Sequence, residues 1–149
     1  MDSRISFQNL CEHQNLSSVF DLMSELRPKL DNEGAFASQI EVQRQQGYAL
    51  LGAYDDSTLI ALAGYRIQTN FLYGRFAYVE DLVVSARLIR TGIGREVLDA
   101  VKEIASERGC THLVLDTALQ KTQAQLFYRS NGFVETGLHF ARALITERN

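Results

Sequence analysis

Between Tyr78 and Leu98 the chain sets Glu80 and Asp81 in an apolar, β-branched run, then Arg87, Arg90 and Arg95 around Gly92-Ile93-Gly94. That order suits anion chemistry. The first turn of a helix carries unpaired backbone N–H groups and the positive end of the macrodipole. Glycines let a phosphate approach those groups closely, and the arginines add charge around the same spot. The expected ligand is phosphorylated. Spacing excludes two common phosphate loops. A P-loop ends in Gly-Lys-Ser/Thr, and no such triplet occurs. A dinucleotide fingerprint needs a third glycine where Val97 stands.

Glu80 and Asp81 are the candidates for removing a proton and for holding a cationic partner. Strand alternation places Tyr78, Glu80, Leu82 and Val84 on one face and Val79, Asp81 and Val83 on the other. On that pattern only one acid points into a given pocket. Adjacent carboxylates inside a strand are costly unless each is paired. Asp81 therefore reads equally as a functional group or as the partner of an arginine on a covering helix.

The elements that must position these groups follow from periodicity. Arg4–Leu10 reads as a first strand. Asn15 or Ser17 opens a helix holding Val19, Phe20, Leu22, Met23, Leu26 and Leu30, with Pro28 near its end. Glu33–Gln46 reads as a second helix closed by Gly47. Tyr48–Tyr54 and Leu59–Gln68 form a hairpin around Asp55-Asp56-Ser57-Thr58, and a strand at about Arg75–Val84 follows. A helix after Gly92 lines up Ile93, Val97, Leu98, Val101, Ile104 and Ala105 and stops at Gly109. His112–Asp116 reads as a buried strand, residues 122–130 as a short helix, and Phe133–Thr136 and His139–Ile145 as two last strands.

At 149 residues the chain is expected to be one domain, residues 1–149, with a real core. Its 46% hydrophobic and 22% charged residues are ordinary for a globular protein. A net charge of −3 argues against general nucleic-acid binding. Asp2, Arg4, Glu12 and His13 interrupt any early apolar stretch, so neither a signal peptide nor a membrane span is expected, and the cytoplasm is the default location. Cys11 and Cys110 make neither a disulfide framework nor a metal pattern.

The stretch 78–98 resembles motif A of the GNAT superfamily of acetyl-CoA-dependent N-acetyltransferases, which is a strand, Arg/Gln-x-x-Gly-x-Gly/Ala and a helix. Gly92-Ile93-Gly94 matches its second half. Its first half departs, since the Arg/Gln position is Ile89 and the next, often glycine, is Arg90. Gly109–Thr117 resembles the family's fifth strand. Ala124–Phe133 resembles its motif B, with the Ala-x-x-Phe-Tyr-x-x-x-Gly-Phe spacing. The resemblance implies an α/β (α+β) fold, the GNAT acyl-CoA N-acyltransferase fold. Its mixed, twisted central sheet has about seven strands and helices on both faces, and two parallel strands splay to admit the pantetheine arm.

It also implies the reaction: acetyl-CoA gives its acetyl group directly to a primary amine, with no metal. By the same resemblance Gly92, Ile93, Gly94 and Arg95 hold the coenzyme pyrophosphate, preceded by Arg90 and Thr91. Backbone groups of Leu82, Val83 and Val84 hold the thioester and its oxyanion. Tyr128 is the general acid for the departing thiolate; its other reading is a core tyrosine beside Phe127. Glu80 is the base, usually through water, or the group that binds the ammonium. Tyr78, Asp81 and His139 face the acceptor, although a lone histidine is more often a satisfied structural group. Lys121 stands where the family often has a pantetheine-binding asparagine, so Lys121 or Arg129 faces coenzyme phosphates or solvent. The acidic pair fits a small cationic amine; a protein lysine or N-terminus is the alternative, as is a non-catalytic acetyl-CoA sensor. A homodimer is expected.

Overall fold

The computed structural model describes residues 5–11 and 15–145; Arg4 of the first expected strand lies outside them. The elements run β1 (Ile5–Asn9), α1 (Ser17–Leu26), α2 (Glu33–Gln45), β2 (Tyr48–Asp55), β3 (Thr58–Asn70), β4 (Gly74–Val84), α3 (Ile93–Glu107), β5 (His112–Leu115) and α4 (Thr122–Ser130). The chain groups into two compact units, residues 1–115 and 116–149. No helix of the described residues is long and apolar enough to cross a membrane.

In the first unit a five-stranded sheet runs in the order β1-β2-β3-β4-β5. Successive pairs are antiparallel until β5, which lies parallel to β4. A parallel neighbour requires a crossover, and α3 supplies it. Val97, Leu98, Val101 and Ala105 of α3 are buried, and Val97 and Val101 pack with Ala61, Ala63, Tyr65 and Val79 of the sheet. The opposite face is covered by α1 and α2. There Val19, Leu22, Met23, Phe36 and Ile40 enclose Tyr48, Leu50, Leu62 and Val83. Helices on both faces therefore agree with the sequence reading. α1 stops at Leu26, two residues before Pro28, so Leu30 falls on the loop to α2.

The second unit contains α4 and no strand among its described residues. Phe133–Thr136 and His139–Ile145, expected as strands six and seven, are irregular, and the sheet has five strands where about seven were expected. Alternating apolar residues show that a segment can be half-buried, but a ladder also needs a neighbour, and a lone two-stranded hairpin is marginal. Val134, Leu138, Phe140, Leu144 and Ile145 remain exposed.

Leu50 is fully buried between the sheet and its helices, whereas Val42 on the outer face of α2 is exposed. Leu50→Ala should cost about 2–5 kcal/mol of unfolding free energy, and Val42→Ala about 0.5 kcal/mol or less. Denaturant midpoints of the two variants check this; equal midpoints would contradict the layering described.

Candidate active site

β5 pairs with β4 only along Phe76–Val79. Beyond Val79 that edge of β4 has no strand beside it among the described residues of the first unit. The ladder decides which backbone groups face the open edge. Ser85 N–H donates to Ile60 O at 2.8 Å, and Ala61 stands opposite Val84. Ala61 and Val84 are thus a non-hydrogen-bonded pair, and alternation makes Ala63 and Leu82 another. The N–H and C=O groups of Leu82 and Val84 point away from β3, to the open edge. Those of Val83 point into the ladder, so of the three residues expected to hold the thioester, Val83 offers no free main-chain group.

The open edge leads through Ser85–Gly92 into α3. Gly92 caps the helix in the left-handed region, φ +90°, and its carbonyl accepts from Glu96 N–H at 3.1 Å. The N–H groups of Ile93, Gly94 and Arg95 precede the first intrahelical bond, so they remain available at the positive end of the dipole. Nothing would lie within 4 Å of a Cβ at Gly92, so the approach is open. Arg90 is also left-handed, φ +70°. Such a backbone strains any residue with a side chain, which accounts for the glycine usual at this point of the motif. With Arg87, Arg90 and Arg95 around it, this first turn fits a pyrophosphate.

Alternation fails at Glu80. Gly64 stands opposite Asp81 and the next residue, Tyr65, opposite Val79, so Glu80 is the extra residue of a β-bulge. Val79 accordingly packs on the α3 side together with Leu82 and Val84, while Val83 belongs to the α1/α2 side. The expected grouping of Glu80 with Leu82 and Val84, opposite Val79 and Asp81, is therefore wrong. The bulge turns both acids to one face, and the contacts show it. Tyr48 Oη donates to Asp81 Oδ2 at 2.8 Å, the Arg66 guanidinium lies 5.6 Å from the Tyr48 ring centre, and Arg66 Nε is 2.5 Å from Glu80 Oε2. This last contact is an ion pair by proximity, since the Arg66 Nε–H is not aligned into a hydrogen bond.

Asp81 is bound from the other side by Arg27, the cap residue of α1. Arg27 Nε and Nη2 donate to Asp81 Oδ1 at 3.1 and 2.9 Å, and Nη2 also donates to the Glu80 carbonyl at 2.9 Å. The arginine on a covering helix is thus present. A cavity of about 270 Å³ opens beside this cluster, walled by Met23, Arg27, Phe36, Ile40, Tyr48 and Asp81.

An acetyltransferase (GNAT) family model matches residues 16–133. The chain belongs to this family. It is an acyltransferase. The uncharacterized N-acetyltransferase YhdJ of Bacillus subtilis is 27% identical over 124 residues, 83% of this chain and 87% of that protein. Glucosamine 6-phosphate N-acetyltransferase 1 of Oryza sativa subsp. japonica is 32% identical over 130 residues, 80% of this chain and 77% of that protein. A solved aminoglycoside N-acetyltransferase in complex with CoA superposes with a TM-score of 0.84 at 20% identity, covering 97% of this chain and 98% of that one. At that identity the likeness shows the fold alone.

Of the remaining expected site residues of this GNAT acetyltransferase, Tyr128, His139 and Lys121 lie in its second unit and Tyr78 in its first. Tyr128 is on α4, its ring 5.5 Å from Phe127 and 5.7 Å from Phe133, and burial raises its phenol above the ordinary range. His139 Nδ1 is 3.5 Å from Asp116 Oδ2. Lys121 caps α4, and its carbonyl accepts from Gln125 N–H at 3.1 Å. Tyr78 is half-buried on β4 and stands opposite Arg66.

Sequence reasoning passed over Arg27, Tyr48, Gly64 and Arg66. One signal was available. A lone glycine inside the apolar strand Leu59–Tyr65 indicates a bulge or a close approach, and Gly64 marks both. A Cβ there would stand 2.7 Å from Tyr48 Cε1 and closer still to the phenol oxygen.

Two outcomes follow for the acetyltransferase. Arg90→Gly relieves the left-handed strain and should raise the unfolding free energy by about 1 kcal/mol; an unchanged or lower denaturant midpoint would contradict it. The second concerns Tyr48, whose phenol is pushed up first by burial and then by the Asp81 carboxylate. An unfolded tyrosine titrates near pH 10. Because the folded value is higher, this contribution to stability is complete below about pH 10 and is lost as the pH rises past it. Tyr48→Phe should start less stable yet lose less between about pH 10 and 12. Parallel losses in melting scans would contradict it.

Proposed function

We propose that this acetyltransferase moves the acetyl group of acetyl-CoA to the primary amine of a small molecule by direct attack. The observation that carries the reading is continuity: the open edge at Leu82 and Val84 runs through one short loop into the vacant amides of Ile93, Gly94 and Arg95. One stretch of chain thus offers donors at both ends of an extended ligand with a polyanionic head. The relatives named above act, by their names, on glucosamine 6-phosphate and on aminoglycosides, both small amines.

Each residue has a stated part. Arg90, Gly92, Ile93, Gly94 and Arg95 hold the pyrophosphate through charge and N–H groups. The Leu82 and Val84 amides orient the thioester carbonyl and stabilise negative charge on its oxygen. Glu80 takes the ammonium proton, directly or through water. Tyr128 keeps its proton at neutral pH because burial raises its phenol, so it is in the right state to protonate the departing sulfur. Glu80 and Asp81 each face an arginine, Arg66 and Arg27. The four charges cancel, so shape and hydrogen bonding select the acceptor more than an excess of negative charge does. A cavity of about 270 Å³ suits a small molecule.

The deciding experiment measures release of coenzyme A thiol over a panel of amino-sugars, polyamines and amino-acid derivatives, alongside melting with coenzyme A. Coenzyme A at a hundredfold excess over its dissociation constant should stabilise the fold by about 2.7 kcal/mol. Gly94→Asp should abolish that shift. Tyr128→Phe should keep it while losing about a hundredfold in turnover. A folded wild type with no shift at millimolar coenzyme A would end the reading, and wild-type turnover in Tyr128→Phe would remove Tyr128 from it.

A further inference from the structure

The geometry points to Arg27, Asp81 and Tyr48 as a set of positioning residues that hold the β4 bulge in register, and with it Glu80 and the open-edge amides of Leu82 and Val84. This rests on the acetyl-transfer reading above. A bulge leaves one residue outside the ladder and reverses the facing of every residue after it. A slip by one position would turn the Leu82 and Val84 amides into β3 and return Val83 to the open edge. Something must therefore hold the extra residue, Glu80, out of the ladder.

Arg27 does so through both main chain and side chain. Its Nη2 holds the Glu80 carbonyl and, with Nε, the Asp81 carboxylate next to it. The fork spans two successive residues, and a neighbouring register would not present both acceptors to it. Tyr48 fixes the second Asp81 oxygen from β2. To reach it, the phenol crosses β3 over Gly64, the residue paired with Asp81, where no side chain obstructs it. The outer face of the same ring carries Arg66, which lies against Glu80. One tyrosine thus connects both acids.

Two observations set this cluster apart from ordinary packing. Asp81 accepts three hydrogen bonds from two side chains, which uses both oxygens of its carboxylate, whereas the Glu80 carboxylate meets Arg66 by proximity alone. In addition, the ion pairs Arg27–Asp81 and Arg66–Glu80 meet at the bulge, whereas Arg44–Glu41 and Arg95–Asp99 are surface helix pairs.

The test uses Tyr48→Phe, which keeps the ring over Gly64 and removes only the hydroxyl, together with Arg27→Gln. Both are assayed well below their melting temperatures, with kcat and KM for acetyl-CoA and for the best amine, and with amide hydrogen exchange read over residues 76–86. Expected is a roughly tenfold to hundredfold fall in kcat, the scale of a small misplacement of reacting groups, with KM for acetyl-CoA within about twofold of wild type. Faster exchange should be confined to residues 80–85. Variants that melt earlier but keep wild-type kcat and wild-type exchange over that segment would reduce the cluster to packing and overturn the inference. The exchange measurement needs no turnover: unchanged exchange sinks the inference alone, whereas a wild type that acetylates no amine sinks the acetyl-transfer reading.

Discussion

The bulge at Glu80 is the constraint on which the site depends. β4 must satisfy two neighbours that make different demands. Along Phe76–Val79 it is laddered on both sides, to β3 and to β5; along Asp81–Val84 it is laddered to β3 alone. The bulge falls at the change between these regimes. It reverses the facing of the residues that follow, so Leu82 and Val84 turn their side chains toward α3 and their main-chain groups to the open edge. An unbulged strand with this composition would bury the same apolar residues but would present both acids differently. The extra residue converts a structural strand into one with a usable edge.

Holding such an irregularity takes specific interactions, because the ladder itself does not. An exposed ion pair contributes little, commonly about 0–1 kcal/mol, and the Arg27 side chain is 50% exposed while Asp81 is 14% exposed. The pair is thus no large source of stability by Coulomb attraction. Its contribution is directional: a forked donor meets a carboxylate and an adjacent carbonyl in one plane. Tyr48 adds the buried part. Tyr48 is 4% exposed and its hydroxyl has its partner in Asp81, so removing that carboxylate leaves the phenol desolvated and unpaired.

Most of the framework was legible in the chain. The helix faces of α1, α2 and α3, the hairpin at Asp55–Thr58 and the glycine stops at Gly47 and Gly109 follow from local rules, and local rules act within one element. The passage from β4 through the loop into α3 was legible for the same reason, since it is a single strand-loop-helix unit. What escaped was non-local. Arg27 and Tyr48 meet Asp81 across fifty-four and thirty-three residues of chain, and no periodicity encodes such a meeting. The facing of Glu80 and Asp81 was misread because alternation assumes an unbroken ladder, and Gly64, on the neighbouring strand, breaks it. The two last strands were overread because apolar alternation shows a capacity for pairing and says nothing of a partner.

The departure of the loop from its family pattern can also be understood physically. The pattern puts a cation or glutamine three residues before the glycine cap and a flexible residue directly after that position. Here Ile89, more than half exposed, takes the first place, and Arg90 takes the second with φ +70°. The left-handed requirement did not disappear when glycine did; the backbone still adopts it, at a strain of roughly 1–2 kcal/mol for an L-residue. Strained backbone persists where the surroundings over-determine it and where it serves a site. The turn at Ala86–Leu88 and the left-handed cap at Gly92 fix the path on both sides, and the residue that bears the strain carries a positive charge. A substitution that merely drifted into this loop would have had every reason to be asparagine or glycine, the residues that reach the left-handed region at least cost. An arginine there accords with the coenzyme-binding part proposed for it above, in which its charge serves an anion at the start of α3.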